Sequence, residues 1–200
     1  MTEGLETNPM KLNMGCGYDK REGYLNVDIS PACQPDFVCD LESLPWPWQD
    51  DSVDEVLFSH TLEHLGQDPR IFLGMMKELY RVCKNQARIL IFVPHPRHDH
   101  FINDPTHVRI VTVGMLSLFD RKVNDDFKRR GASNTPYAHY LGVDFAVEET
   151  RLVLDEPYAT QFEKKQLSAA DIDLMSREWN NVIKEIQIVL VAKKTARPSS

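Results

Sequence analysis

Carboxylates at the ends of short apolar runs, preceded by a glycine bend, supply the first chemistry in this chain. In Lys11-Leu12-Asn13-Met14-Gly15-Cys16-Gly17 the bend ends an apolar run, lets backbone approach a ligand without Cβ hindrance and permits positive φ. Leu25-Asn26-Val27-Asp28 ends on a carboxylate able to accept hydrogen bonds from both hydroxyls of a ribose. In Val38-Cys39-Asp40-Leu41 the Asp40 carboxylate can accept from an adenine amino group while the Leu41 N–H donates to a ring nitrogen. Pro45, Trp46 and Trp48 either wall the base or form a hydrophobic cluster beneath a loop. Taken singly, each segment also fits a tight turn or a solvated strand end. Three aligned strand ends together make a pocket for an adenosyl group.

Histidines supply the second chemistry. His60 and His64 follow the fourth apolar run, and His95, His98, His100 and His107 follow the fifth. Imidazole is suited to general-base work near neutral pH, and His107, His95 and His60 are the candidate bases. Asp99, Asp104 and Arg109 are either acceptor-binding partners or caps and loop ion pairs. The run His60-x-x-Glu63-His64 also matches the inverted zinc-hydrolase motif, in which two histidines four apart share a helix face; His95, Asp99 or His107 would complete its ligands. That alternative leaves Gly15, Gly17, Asp28 and Asp40 without a role, so no residue is assigned to a metal.

These residues need strands to carry them. Short apolar runs bounded by turn residues predict strands at Met10 to Met14, Tyr24 to Val27, Phe37 to Cys39, Val53 to Phe58 and Arg88 to Val93. Between the last two, Phe72, Met75, Met76, Leu79, Tyr80 and Cys83 recur at helical spacing. Asp68 followed by Pro69 starts that helix, and Asn85 is expected to stop it in the left-handed conformation. Strand, helix, strand implies a right-handed parallel crossover. Residues 94–141 read as a long insertion with little periodicity outside Val111 to Phe119, a length usually kept for function. Lys128-Arg129-Arg130 reads there as a solvated, loop-like patch. Two more strands, near Phe145 to Leu154 and Glu185 to Ala192, flank a helix near Leu167 to Val182 and bring the sheet to seven.

Composition sets outer bounds. The chain has 200 residues, 42% of them hydrophobic, and fits one domain over 10–195, with flexible ends at 1–9 and 196–200. A formal net charge of −7 argues against broad attraction to nucleic-acid phosphates or anionic lipid. No apolar run approaches the ~20 residues of a membrane span, and the four cysteines have no Cys-x-x-Cys spacing, so a reduced, cytoplasmic protein is expected. Oligomeric state is not written in the chain.

From Lys11 to Val93 the sequence resembles the class I S-adenosylmethionine-dependent methyltransferases, in particular the type 11 small-molecule branch. Leu44-Pro45-Trp46, Asp50-Asp51-Ser52-Val53-Asp54, Ser59-His60-Thr61-Leu62-Glu63-His64-Leu65 and Glu78-Leu79-Tyr80-Arg81-Val82 carry the likeness. The resemblance implies an α/β fold, a doubly wound, mostly parallel, seven-stranded Rossmann-like sheet, and S-adenosyl-L-methionine as cofactor. It implies a cofactor-binding set of Asn13, Met14, Gly15, Cys16, Gly17, Asp28, Ile29, Asp40, Leu41 and Ser59. Two departures stand out. Eleven positions separate Gly17 from Asp28, against about 20 in a full dinucleotide unit, so the first helix is shortened or lost. Asn85-Gln86 stands where the family has a Pro-Gly-Gly turn. The expected reaction is methyl transfer to oxygen of a small-molecule or glycan-like acceptor. The motif of exocyclic-amine nucleic-acid methyltransferases, Asn/Asp-Pro-Pro-aromatic, does not stand at Ser59-His60-Thr61-Leu62, and no nucleic-acid partner is expected. A protein that binds the cofactor without catalysis is the remaining alternative.

Overall fold

A computed structural model describes residues 9–194. The expectations for the first eight residues and for the tail 196–200 lie outside the described residues. Seven strands form one sheet: β1 (Lys11–Met14), β2 (Leu25–Asp28), β3 (Phe37–Val38), β4 (Val53–Ser59), β5 (Cys83–Pro94), β6 (Phe145–Leu154) and β7 (Ile183–Ala192). Their order is β3-β2-β1-β4-β5-β7-β6, with β7 antiparallel to both of its neighbours and the others parallel. The direction of strand addition reverses between β1 and β4. Open α/β sheets bind ligands at the carboxyl ends beside such a reversal.

One face of the sheet presents Leu12, Met14, Val27, Val56, Phe58, Ile89, Ile91, Ile188 and Leu190 to the main core. Helix α1 (Pro69–Val82) covers it with Phe72, Met75, Met76, Leu79 and Val82, the spacing of a single helical stripe. Asp68 caps α1 by accepting from the Arg70 N–H, and Pro69 fills the first turn. The stop differs from expectation. The helix ends at Val82, and Cys83 turns extended because it already pairs with Val53 of β4. The left-handed residue is Gln86 (φ +68°), while the Asn85 side chain accepts from Lys194 N at 2.9 Å.

Between β1 and β4 the described chain contains no α-helix, only a 3-10 turn at Pro31–Cys33. The shortening of the first helix is thus complete. Buried asparagines do the helix's work of satisfying backbone there. Asn13 Nδ2 donates to Asp19 O and to Asn26 Oδ1, each at 3.0 Å. Asn26 in turn accepts from Arg21 N and donates to Asp36 Oδ2, both at 2.8 Å. Such a network holds a loop that cannot supply its own ladder.

The insertion after β5 is more regular than its sequence suggests. It holds α2 (Asp99–Ile102), α3 (Val113–Leu116), α4 (Arg121–Arg130) and α5 (Tyr137–Leu141). Leu116 and Phe119 are buried, and Phe119 stacks between Phe72 of α1 and Tyr137 of α5. The basic triplet Lys128-Arg129-Arg130 is not in a loop. It forms the last turn of α4, where cations favour the carbonyl end of the helix dipole, and Gly131 (φ +66°) closes it. Two further helices, α6 (Tyr158–Glu163) and α7 (Ala169–Glu178), precede β7; α7 adds Ile172 to a small second core with Val182 and Ile183. No helix among the described residues is long and apolar enough to cross a membrane.

Candidate active site

The turn after β1 and the turn after β4 are built against each other. Gly15 sits at φ +67°, and a Cβ placed on it would lie 2.2 Å from Thr61 Cγ2, so this position requires glycine twice over. The Thr61 hydroxyl donates to the Met14 carbonyl at 3.0 Å, bolting the two strand ends together. Beside them, Asp28 Oδ2 accepts from Gly17 N and Oδ1 from Ser30 N, both at 2.8 Å. Asp40 repeats the device, accepting from Glu42 N at 2.9 Å and from the Ser43 hydroxyl at 2.8 Å. Each carboxylate keeps acceptor capacity beyond these bonds, since its two oxygens offer about four lone-pair sites.

Gly15, Asp28, Ile29, Asp40 and Leu41 line one cavity of about 490 Å3, together with Cys39, Glu42, His60, Thr61, His64 and Leu65. That volume is in the ordinary range for a small-molecule site. A larger hollow of about 870 Å3, lined by Lys77, Arg81, Lys84, Arg121 and Lys194 among others, opens where β5 begins, at the far edge from these strand ends. The other expected cofactor residues stand differently. Asn13 and Met14 are buried, Asn13 tied into the loop network and Met14 packed in the core. Cys16 is buried, with its thiol pushed up by burial and by the nearby Asp28. Gly17 acts through the N–H that holds Asp28, and the Ser59 carbonyl lies 3.2 Å from Thr61 Oγ1. Trp46 and Trp48 belong to the core, with Trp46 Nε1 donating to Leu41 O at 2.9 Å and so fixing the end of that segment from behind.

Thr61 and Glu42 line the pocket without a sequence signal of their own. Thr61 had a readable signal only in combination, as the residue that fills the space glycine leaves at position 15. Glu42 follows Leu41 and accepts from Gly66 N at 2.6 Å, joining the Asp40 segment to the loop after β4, a contact that no local pattern announces.

The histidines gather along the β4 and insertion side. His60, at φ +52°, points Nε2 at Glu185 Oε2 (2.8 Å) and Nδ1 at Glu63 Oε1 (3.6 Å). Glu63 chiefly, with Glu185, holds its imidazolium form and raises its pKa against the opposing effect of burial. His95 accepts from Arg97 N through Nδ1 at 3.2 Å, and burial, with the charges of Arg97 and His98, lowers its pKa. His107 Nδ1 lies 2.9 Å from the Phe101 carbonyl. A carbonyl can only accept, so Nδ1 carries a proton; in the neutral ring Nε2 keeps its lone pair, 3.8 Å from Asp104 Oδ2. Buried His98 caps α2 and bonds Asp155 at 3.0 Å. Asp104 holds Thr106, and the Arg109 guanidinium lies 4.0 Å over the Phe72 ring with its donors on Leu65 O and Gly66 O; both stand as loop anchors.

The zinc-hydrolase geometry is not formed. Leu62–His64 is a single 3-10 turn, and His60 lies before it with left-handed backbone, so His60 and His64 do not share a helix face.

Comparison with known proteins agrees with the architecture. Residues 12–91 match the family model described as "Methyltransferase domain", Methyltransf_11. A search of curated proteins by sequence gave no match. Among solved structures, a SAM-dependent methyltransferase from Archaeoglobus fulgidus superposes with a TM-score of 0.58 at 19% identity, over 92% of this chain and 86% of that one. One from Methanosarcina mazei gives 0.53 at 15% identity over 94% and 95%. The [4+2]-cyclase SpnF gives 0.55 at 13% identity over 96% and 78%, so the shared fold also serves other chemistry. The type 11 methyltransferase domain model thus covers the glycine bend and both acidic segments, and the chain has the fold of S-adenosylmethionine-dependent methyltransferases.

Proposed function

We propose that this enzyme transfers the methyl group to a hydroxyl oxygen of a small, polar, glycan-like acceptor, held between the strand-end cavity and the insertion at 94–141 of a single domain spanning 10–195. The observation that carries the reading is the convergence of Gly15, Asp28 and Asp40 on one cavity that His60, Thr61 and His64 also line. When bound, the cofactor supplies a methyl group on a cationic sulfur, already activated for in-line displacement. Asp28 would hold the ribose hydroxyls, Asp40 and the Leu41 N–H the adenine, and the glycine bend would admit the methionine end beside Ser59, Asn13, Met14, Cys16 and Gly17. Ile29 stands exposed on the rim, able to cover the ribose.

An acceptor hydroxyl loses its proton as the C–O bond forms and the S–C bond breaks, leaving a neutral thioether and a methyl ether. Of the three candidate bases, His60 faces two carboxylates and the His95 Nδ1 lone pair already accepts from Arg97 N. The role is given to His107, which stands behind the cavity-lining His64 with the two rings 4.5 Å apart, its Nδ1 on the Phe101 carbonyl and its Nε2 3.8 Å from Asp104 Oδ2, where a proton taken up would be stabilised. Alignment of the two reactants supplies much of the rate, on the order of 7–11 kcal/mol for well-oriented partners. The four free cysteines support a reducing, cytoplasmic setting.

Calorimetric titration with S-adenosylmethionine and S-adenosylhomocysteine tests the cofactor half. Asp28→Ala should weaken both by on the order of 1.5–3 kcal/mol, the range for a hydrogen bond to a charged group. Unchanged affinity removes Asp28 from the site. A gain of one methyl mass in hydroxylated acceptors, absent from their deoxy analogues, tests the oxygen assignment.

A further inference from the structure

Glu63 is 1% exposed, and neither of its carboxylate oxygens has a hydrogen-bond partner. Buried carboxylates are ordinarily hydrogen-bonded, and an ion is one of the few things that accounts for one that is not. The nearest ion-pair contact, His60 Nδ1 at 3.6 Å, is beyond hydrogen-bond reach and comes from a half-exposed ring. Two further imidazoles stand near it. One ligand atom from each of Glu63, His64 and His107 lies within 4.8 Å of the others, and the His64 and His107 rings meet edge to face at 4.5 Å.

The protonation of both rings can be worked out from their partners. His107 Nδ1 donates to the Phe101 carbonyl. His64 Nδ1 lies 2.9 Å from Thr106 Oγ1, and that hydroxyl donates its single hydrogen to Asp104 Oδ1 at 2.6 Å. Thr106 therefore accepts from His64 Nδ1–H. In their neutral forms both rings keep an Nε2 lone pair and an Nδ1–H anchored to an oxygen, the arrangement that orients histidines for metal ligation, and His107 Nε2 has Asp104 Oδ2 3.8 Å away. The two segments are also held in register, because the Glu63 carbonyl accepts from both Val108 N and Arg109 N at 3.0 Å.

We propose that Glu63, His64 and His107 bind one divalent transition-metal ion, of which zinc is the type, with open coordination positions toward the cavity that His64 lines. Two imidazoles and one carboxylate suit such an ion better than magnesium or calcium, which favour all-oxygen shells. The role of the ion rests on the methyl-transfer reading above; its binding does not. In the loaded enzyme the acceptor hydroxyl takes an open position, its proton is lost to solvent at lower pH, and His107 acts through the ion instead of as a free base.

The test uses full-length chain stripped with a chelator and dialysed against zinc, read by elemental analysis and thermal unfolding. Wild type should take up one equivalent and gain thermal stability. His64→Gln and His107→Gln should each lose ~100-fold or more in zinc affinity, beyond the loss seen for outer-shell partners. Glu63→Gln should do the same, and if it does not fold the histidine variants carry the result. His60→Gln should retain zinc. Zinc affinity equal in wild type and His107→Gln overturns the site, as does zinc that follows His60 and ignores His107. Cobalt uptake, read by its visible absorption, gives a second signal independent of turnover. Wild type that transfers methyl groups without binding zinc overturns this inference and leaves the proposed function standing. Zinc bound by a chain with no affinity for S-adenosylmethionine does the reverse.

Discussion

Two halves of one sheet edge handle their charged groups in opposite ways. After β1, β2 and β3 every carboxylate of the pocket is met by backbone or hydroxyl donors: Asp28 by Gly17 and Ser30, Asp40 by Glu42 and Ser43. After β4 and along the insertion, Glu63 is buried with neither oxygen hydrogen-bonded, its ion-pair contact being His60 Nδ1 at 3.6 Å, while the neutral His64 and His107 rings keep lone pairs. The first half fixes its carboxylates by its own donors, which suits the recognition role proposed for it. The second half holds unmet valences, the condition in which a group can bind an ion, take a proton or orient a reactant. In the proposed reading, binding and chemistry fall on opposite sides of the β1/β4 reversal, and Thr61 bolts the two strand ends together.

The separation breaks first if a change in the second half disturbs the first. His107→Ala should lower turnover at saturating cofactor by ~10²–10⁴-fold, whether that ring takes the proton or serves an ion. Its dissociation constant for S-adenosylhomocysteine should stay within about twofold. A parallel loss of cofactor affinity would mean that the two halves are one unit.

The bolt itself gives the next largest effect. Gly15→Ala combines a left-handed backbone with a Cβ 2.2 Å from Thr61 Cγ2, and should cost roughly 2–5 kcal/mol in denaturant unfolding. Thr61→Ala removes both atoms nearest to that Cβ, so the double variant should recover part of the loss, with a coupling of about 1–3 kcal/mol. Additive losses would show that backbone conformation alone demands the glycine.

The two halves also differed in how far the chain disclosed them. Strand ends carrying Asp28 and Asp40 were legible because a run of apolar residues followed by one carboxylate is a local pattern, and β6 at Phe145–Leu154 fell where its run predicts. The His60-x-x-Glu63-His64 run, with His107 among its possible completing ligands, was legible too; that Glu63 takes the place of His60 beside His64 and His107 was not, because it depends on the left-handed turn at His60 and on how Val108, Arg109 and Thr106 join the second segment to the first. Helix α4 escaped for a different reason. Its sequence, RKVNDDFKRR, has almost no apolar stripe, and it is held by its caps Asp120 and Gly131 and by Asn124, whose Nδ2 donates to Leu118 O and whose Oδ1 accepts from Ala138 N. At the end of α1 the expectation of a left-handed Asn85 failed because pairing of Cys83 with Val53 takes over the backbone before residue 85 is reached. Tertiary pairing overrides local propensity in just this way.

A last comparison lies within the recognition half, where loops stand in for absent helices and so need anchors. The stretch after Asp40 is clamped to α1 by Glu78, which accepts from Trp46 N at 2.9 Å and from Arg81, and by Arg81, which donates to Trp46 O and Trp48 O. The Arg81 guanidinium holds the Glu78 carboxyl below its ordinary pKa against the opposing effect of burial. A carboxyl depressed in the folded state adds stability that is fully present above its unfolded pKa of about 4.3 and is lost as pH falls through the lower folded value. Wild type should therefore lose about 1 kcal/mol more than Glu78→Gln on acidification from pH ~6 to below that folded value, the size of a partly exposed pair. If the two proteins lose stability in parallel, the clamp is held by Arg81 on the carbonyls alone. Cofactor affinity followed over the same range separates anchoring from recognition. In Glu78→Gln it should soften only slightly, because Asp40 and its donors Glu42 and Ser43 remain joined without the clamp.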